Sequence, residues 1–209
     1  MPDLREQLEQ CFQGRVCLMG LGNVLQGDDG FGVRLVEELK SEVRSPKSER
    51  RPKSERRNPK QESRRAGKEL RASDFGLLSD FGFRISDFGA GHGLIAAGMH
   101  PERFVGLVSP RSFDHLVFID AVDFGGTPGS VILLDSERMG ARFPQISTHK
   151  ISLGLLAKWV EANGTTRAWL LGVQPESLQP GTGLSPTLER TLDTLRQLVG
   201  EAMEEVAAC

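Results

Sequence analysis

The stretch Val16 to Gly32, VCLMGLGNVLQGDDGFG, constrains the fold more than any other part of the chain. It opens with an apolar run, Val16 to Met19, short enough for a buried strand. It turns on Gly20 and Gly22 and ends in two adjacent carboxylates, Asp28 and Asp29. Apolar residues then recur at helical spacing: Val33, Val36 and Leu39 face one way, with Arg34, Glu37, Glu38 and Lys40 between them. A strand, a Gly-rich loop and a helix start predict an α/β unit, and such units hold ligands at the carboxyl end of the strand.

Two simpler readings of the loop are weaker. Gly20-Leu21-Gly22 begins like a dinucleotide fingerprint, but Leu25 stands where the third glycine belongs and the loop runs long before the helix. Asp28 suits a helix cap. Capping leaves Asp29, beside Gly30, unexplained, because adjacent carboxylates repel one another.

The remaining periodicity extends the α/β pattern. Residues 3 to 12 read as a short helix with Leu4, Leu8 and Phe12 on one face. Phe83 to Asp87 alternates like a strand and ends in Phe88-Gly89-Ala90-Gly91, and a helix with Leu94, Ile95 and Met99 is expected next, limited by Gly98 and Pro101. Arg103 to Val108 fits either a helix or a strand. Leu116-Val117-Phe118-Ile119 is a continuous apolar run, as in a central parallel strand, and ends in Asp120. Val131 to Leu134 and Ala168 to Val173 read as further strands. One helix is expected to carry Ile151, Leu155, Leu156 and Trp159. The last should bury Leu188, Leu192, Leu195 and Leu198, with Ser185 as N-cap and Pro186 at its first position. The alternation predicts a doubly wound, mainly parallel central sheet flanked by helices, of the phosphorylase/hydrolase-like kind.

Composition matters because it is uneven. Residues 40 to 71 hold 13 of the 26 Lys and Arg and only 5 acids, which leaves 13 basic against 23 acidic residues elsewhere, a net of −10. An acidic body does not suit a nucleic-acid enzyme. The basic tract is repetitive: Pro-Lys-Ser-Glu-Arg stands at 46–50 and 52–56 with Pro-Lys-Gln-Glu at 59–62, and Ser-Asp-Phe-Gly stands at 73–76, 79–82 and 86–89. The reverse complement of codons for Ser-Asp-Phe-Gly, one base out of frame, can encode Pro-Lys-Ser-Glu. A translated repetitive DNA element in inverted copies accounts for both sets. The reading is one domain over 1–209, interrupted by a disordered low-complexity insertion at about 41–80. The Asp-Phe-Gly triplets lack the Gly-rich loop, strand lysine and His-Arg-Asp loop of a protein kinase. Cys11, Cys17 and Cys209 are odd in number and far apart, so no disulfide framework or zinc knuckle is indicated. The N-terminus MPDLREQLEQ has no apolar signal region and no apolar run is long enough to span a membrane, so a cytoplasmic protein is expected.

GLGNVLQGDDGFGVRLVEEL closely resembles the opening motif of the nickel–iron hydrogenase maturation endopeptidases. The resemblance returns at DHLVFIDAVDFGGTPGSVILL, ISTHKISLGLL and GVQPESLQPGTGLSPTLER, in the family's order. It implies an aspartic-type endopeptidase that removes the C-terminal extension of the hydrogenase large-subunit precursor once nickel is inserted. A monomer is expected, and the acidic body and the lack of a long apolar run point to no nucleic-acid or membrane partner.

The motif positions of that family carry over residue by residue to Asp29, Asp120 and His149. Two carboxylates and an imidazole suit a borderline divalent ion, here nickel carried by the substrate, with zinc or another divalent ion able to substitute. Asp29 and Asp120 are the expected catalytic residues, and Asp28 and Asp123 the expected supporting residues around them. Many relatives have Glu at the first position, and Asp29 has a shorter reach. The alternative roles are a loop cap for Asp120 and a solvated helix start for His149. His92, His100 and His115 have no counterpart in the motifs. A metal-dependent binder that does not cleave, and a product inactivated by the insertion, are the rival functions.

Overall fold

The computed structural model describes residues 4–44, 86–88, 92–108, 113–142, 152–162, 164–181 and 183–207. These fall in one compact unit. The chain runs α1 (Leu4–Cys11), β1 (Val16–Leu21), a 3-10 turn (Gly27–Gly30), α2 (Phe31–Arg44), β2 (Ser86–Phe88), β3 (His92–Gly98) and α3 (Glu102–Val108). It continues with β4 (His115–Ala121), β5 (Val131–Asp135), α4 (Ser136–Arg142), α5 (Leu153–Glu161), β6 (Arg167–Val173) and α6 (Pro186–Ala207).

The strands form one sheet in the order β2-β3-β1-β4-β6-β5. The four inner strands are parallel, and the two edge strands, β2 and β5, are antiparallel to their neighbours. Both faces are covered, so β1 and β4 are buried along their whole length and read as continuous apolar runs. Alternate residues serve opposite faces. Leu18, Val117 and Ile119 meet α1, α2 and α6, while Met19, Leu116 and Phe118 meet the layer of α3, α4 and α5. The doubly wound, mainly parallel sheet is thus as expected.

Several local expectations change. Residues 92 to 98 form a strand, not a helix, and pair in parallel with β1 from Cys17↔Gly93 to Leu21↔Gly98. An apolar run this short suits either element until both faces are covered, and here they are: Leu94 and Ile95 are buried, one in each core layer. Residues 102 to 108, read as either element, are helical. Asp120 does not end its strand, which continues through Ala121. In α5 the buried side is Leu153, Leu156, Ala157 and Val160, whereas Leu155 and Trp159 face solvent. In α6 Val199 is buried and Leu198 only partly so.

α2 runs through Arg44, so the first residues of the insertion expected at about 41–80 are helical, and residues 45 to 85 lie outside the described residues. The third Ser-Asp-Phe-Gly copy supplies β2, paired Ser86↔Leu94 to Phe88↔His92. No helix among the described residues is long and apolar enough to cross a membrane.

Candidate active site at the carboxyl edge of the sheet

The glycines of the first motif bring helix and sheet into contact. A Cβ on Gly20 would lie 2.1 Å from the Gly32 carbonyl oxygen, and one on Gly32 would lie 2.0 Å from that of Ile119. The start of α2 therefore rests directly on β1 and β4. Gly22, at φ +107, leaves room for the Asp29 carbonyl oxygen 1.7 Å from where its Cβ would stand. These close approaches account for the fingerprint-like Gly-x-Gly without a nucleotide.

Asp28 and Asp29 sit side by side in the 3-10 turn and are both buried, at 1% and 2% exposure. Their surroundings differ. Asp28 Oδ2 accepts the backbone N–H groups of Glu176 and Ser177, each at 2.9 Å, and Oδ1 accepts that of Ser185 at 2.6 Å. The carboxylate is thus spent on the loop leading into α6, whose first turn Ser185 caps through Leu188 N–H. Asp29 Oδ2 accepts the N–H of Asn23 at 2.7 Å, while its Oδ1 is buried with no hydrogen-bond partner. A buried carboxylate oxygen left unsatisfied costs stability. Such an atom marks a place where a ligand supplies what the fold does not.

Asp120 approaches the same edge. Gly20 pairs with Ile119 across β1 and β4, so Asp120 lies level with the last residues of β1, and the 3-10 turn packs on β4. Asp120 is buried at 3%, and Oδ1 makes no hydrogen bond, although the residue interacts elsewhere. Strand alternation places it with Leu116 and Phe118 on the face that α5 covers. His149, expected to complete the set, lies outside the described residues, as does Cys209. Among the described residues no three His, Cys, Asp or Glu side chains gather as a metal site.

Asp123, the other expected supporting residue, organises a turn. Its Oδ1 accepts the Gly125 N–H and the Gln174 side-chain amide, both at 3.1 Å, and these bonds, Gln174's first, lower its pKa below the ordinary value. Gln174 was not singled out from the sequence. It is buried, and its Oε1 also takes the N–H groups of Phe124 and Gly126 at 2.9 and 3.0 Å. Its only signal was its place at the end of an apolar strand run. His92 and His115 lie at the opposite ends of their strands, and His100 faces Glu102 at 3.3 Å. Cys11 and Cys17 are buried thiols, and burial pushes that of Cys11 up to about 12, which keeps it protonated and unreactive.

Comparison with known families decides what kind of protein carries this edge. The HycI family model, described as hydrogenase maturation protease, matches residues 84–202, more than half of the chain. The chain belongs to the hydrogenase maturation protease family. The protease is 28% identical over 195 residues to the hydrogenase 2 maturation protease of Escherichia coli K12, an alignment that covers 91% of this chain and 92% of that one. It is 26% identical to an endopeptidase from Escherichia coli solved in solution, with a TM-score of 0.59 and coverage of 91% and 93%. The HycI maturation protease of Thermococcus kodakarensis shares its fold, with a TM-score of 0.66 at 24% identity over 95% of this chain and 99% of that one. Asp120 falls within the matched family region and Asp29 precedes it.

Proposed function

We propose that this protease removes the C-terminal extension of a nickel–iron hydrogenase large-subunit precursor after nickel insertion, and that Asp29 and Asp120 receive the nickel-bearing end of that substrate. The names of its relatives support the substrate class. The observation that carries the site is Asp29 Oδ1, a buried carboxylate oxygen with no hydrogen-bond partner, at the carboxyl edge of the sheet.

The division of labour follows from the surroundings. Asp28, with three backbone bonds, holds the loops in place. Asp29 and Asp120 present oxygens as ligands to nickel that arrives with the precursor, and His149 adds an imidazole. Hard oxygens with one nitrogen suit nickel or zinc. Asp120, held within a central strand, acts as a ligand rather than as the proton-transferring base. A precursor without metal gives these carboxylates nothing to bind, so cleavage reports nickel loading.

The test is incubation of the purified protein with nickel-loaded and nickel-free precursor. Shortening of the loaded precursor alone, lost in Asp29→Asn and His149→Ala variants that still fold, is expected. Binding without shortening would make the protein a sensor of loaded precursor. Neither would mean that the chain is no longer active.

A further inference from the structure

We propose that loops 23–27 and 176–181 form one apolar lip on which the folded body of the precursor docks, beside the carboxylates that receive its nickel-bearing end; the inference rests on the function proposed above. Leu25 is 63% exposed, Leu178 40% and Val24 36%. Single exposed apolar side chains are ordinary, but a cluster on one edge is a mark of an interaction surface.

The two loops are zipped together. Gln26 bridges to Gly181, Gly27 N–H donates to the Gly181 carbonyl at 2.9 Å, and Gly181 N–H donates to that of Leu25 at 3.0 Å. Asp28 N–H donates to the Ser177 carbonyl at 3.2 Å, and the Asp28 carboxylate grips Glu176, Ser177 and Ser185. Gly27, at φ +52, lets the loops meet, since its Cβ would stand 3.1 and 3.2 Å from the carbonyl oxygens of Gln179 and Ser177. Backbone held this firmly cannot fold its apolar side chains back onto the core. The same rigidity lowers the ordering cost of binding.

The lip adjoins the reactive edge. Val24 lies over Gly30, its Cα 2.8 Å from where a Gly30 Cβ would stand, and Gly30 follows Asp29 in sequence. Glu176 is its only charged residue, so no cation is offered to a nucleic acid or an anionic membrane. An apolar, nearly neutral surface matches a folded protein face, and a scissile bond alone offers far less area than a specific protein interface needs.

The test compares two double variants in steady-state cleavage of purified nickel-loaded precursor. Leu25→Ser with Leu178→Ser should raise KM about tenfold or more while kcat stays within about twofold. Leu155→Ser with Trp159→Ser removes an exposed apolar pair on α5 and should change neither constant. Melting temperatures should match the wild type in both. An unchanged KM in the lip variant, a fall in kcat alone, or a KM effect confined to the α5 variant overturns the proposal. If the wild type does not cleave, the proposed function falls, and calorimetric affinity for the precursor judges the lip by itself. Weaker binding by the lip variant supports it; unchanged affinity, or no binding by the wild type, overturns it.

Discussion

Replacing Asp28 by alanine withdraws one acceptor group from three backbone donors, those of Glu176, Ser177 and Ser185. A hydrogen bond to a charged group contributes about 1.5–3 kcal/mol when its partner is left behind. Glu176 and Ser177 are on an exposed loop, where water can reach the freed N–H groups, whereas Ser185 is half-buried at the start of α6. The low end of the range therefore applies, and the expected loss is about 3–5 kcal/mol, a large share of the ~5–15 kcal/mol typical of a domain. For a chain of this size that corresponds to a melting point lower by roughly 10 °C. Urea denaturation followed by circular dichroism should show the midpoint falling with little change in slope. Asp29→Asn serves as the comparison. It risks only the bond from Asn23 and relieves a buried, unsatisfied carboxylate oxygen, so its stability should stay within about 1 kcal/mol of wild type. An Asp28→Ala loss below about 1 kcal/mol, or equal losses in the two variants, would refute the assignment of Asp28 as the pin and Asp29 as the binding group.

Asp120→Asn should weaken nickel affinity measured by calorimetry and abolish cleavage, with partial rescue by excess nickel; unchanged affinity would assign Asp120 to proton transfer instead. His92 and His115 should make stability depend on pH. His92 Nδ1 accepts the Val16 N–H at 3.0 Å and His115 Nδ1 accepts the Trp169 indole N–H at 2.9 Å, so both rings are needed neutral. Burial lowers both pKa values below the ordinary 6.5, helped by Arg15 at His92, and opposed by Asp114 but helped by Arg167 at His115. The unfolded chain then binds these protons at a higher pH than the folded one. Stability is fully present above about 6.5 and is lost as the pH falls through the folded values; a His115→Gln variant should show a shallower decline in urea midpoint between neutral and mildly acidic buffer. Deleting residues 46–72 should leave the melting temperature and cleavage nearly unchanged, because a connection between α2 and the next strands closes at little extra entropy whatever its length; insoluble protein after the deletion would argue against this.

The sequence by itself determined the elements whose pattern is local. β1, the Gly-rich loop and α2 follow from an apolar run, paired glycines and helical spacing within Val16–Arg44, though the 3-10 turn inside that loop does not. Ser185 and Pro186 mark the start of α6 for the same reason: a cap and its helix are neighbours in the chain. The ordered motifs also made the family legible, and with it Asp29 and Asp120 as the residues to watch.

Tertiary structure decided whatever depends on what lies across the sheet. Residues 92–98 became a strand because β1 offers a parallel edge and helices cover both of its faces; their spacing alone suits a helix equally well. In α5 the helical period was visible but its phase was not, because Leu155 and Trp159 are as apolar as the residues that α5 buries, and only the position of the sheet says which side turns inward. The two adjacent aspartates show the same limit most sharply. Their side chains are chemically identical, and Asp28 differs from Asp29 only because donors 148, 149 and 157 residues away in sequence fold back to fill its oxygens and leave Asp29 Oδ1 bare.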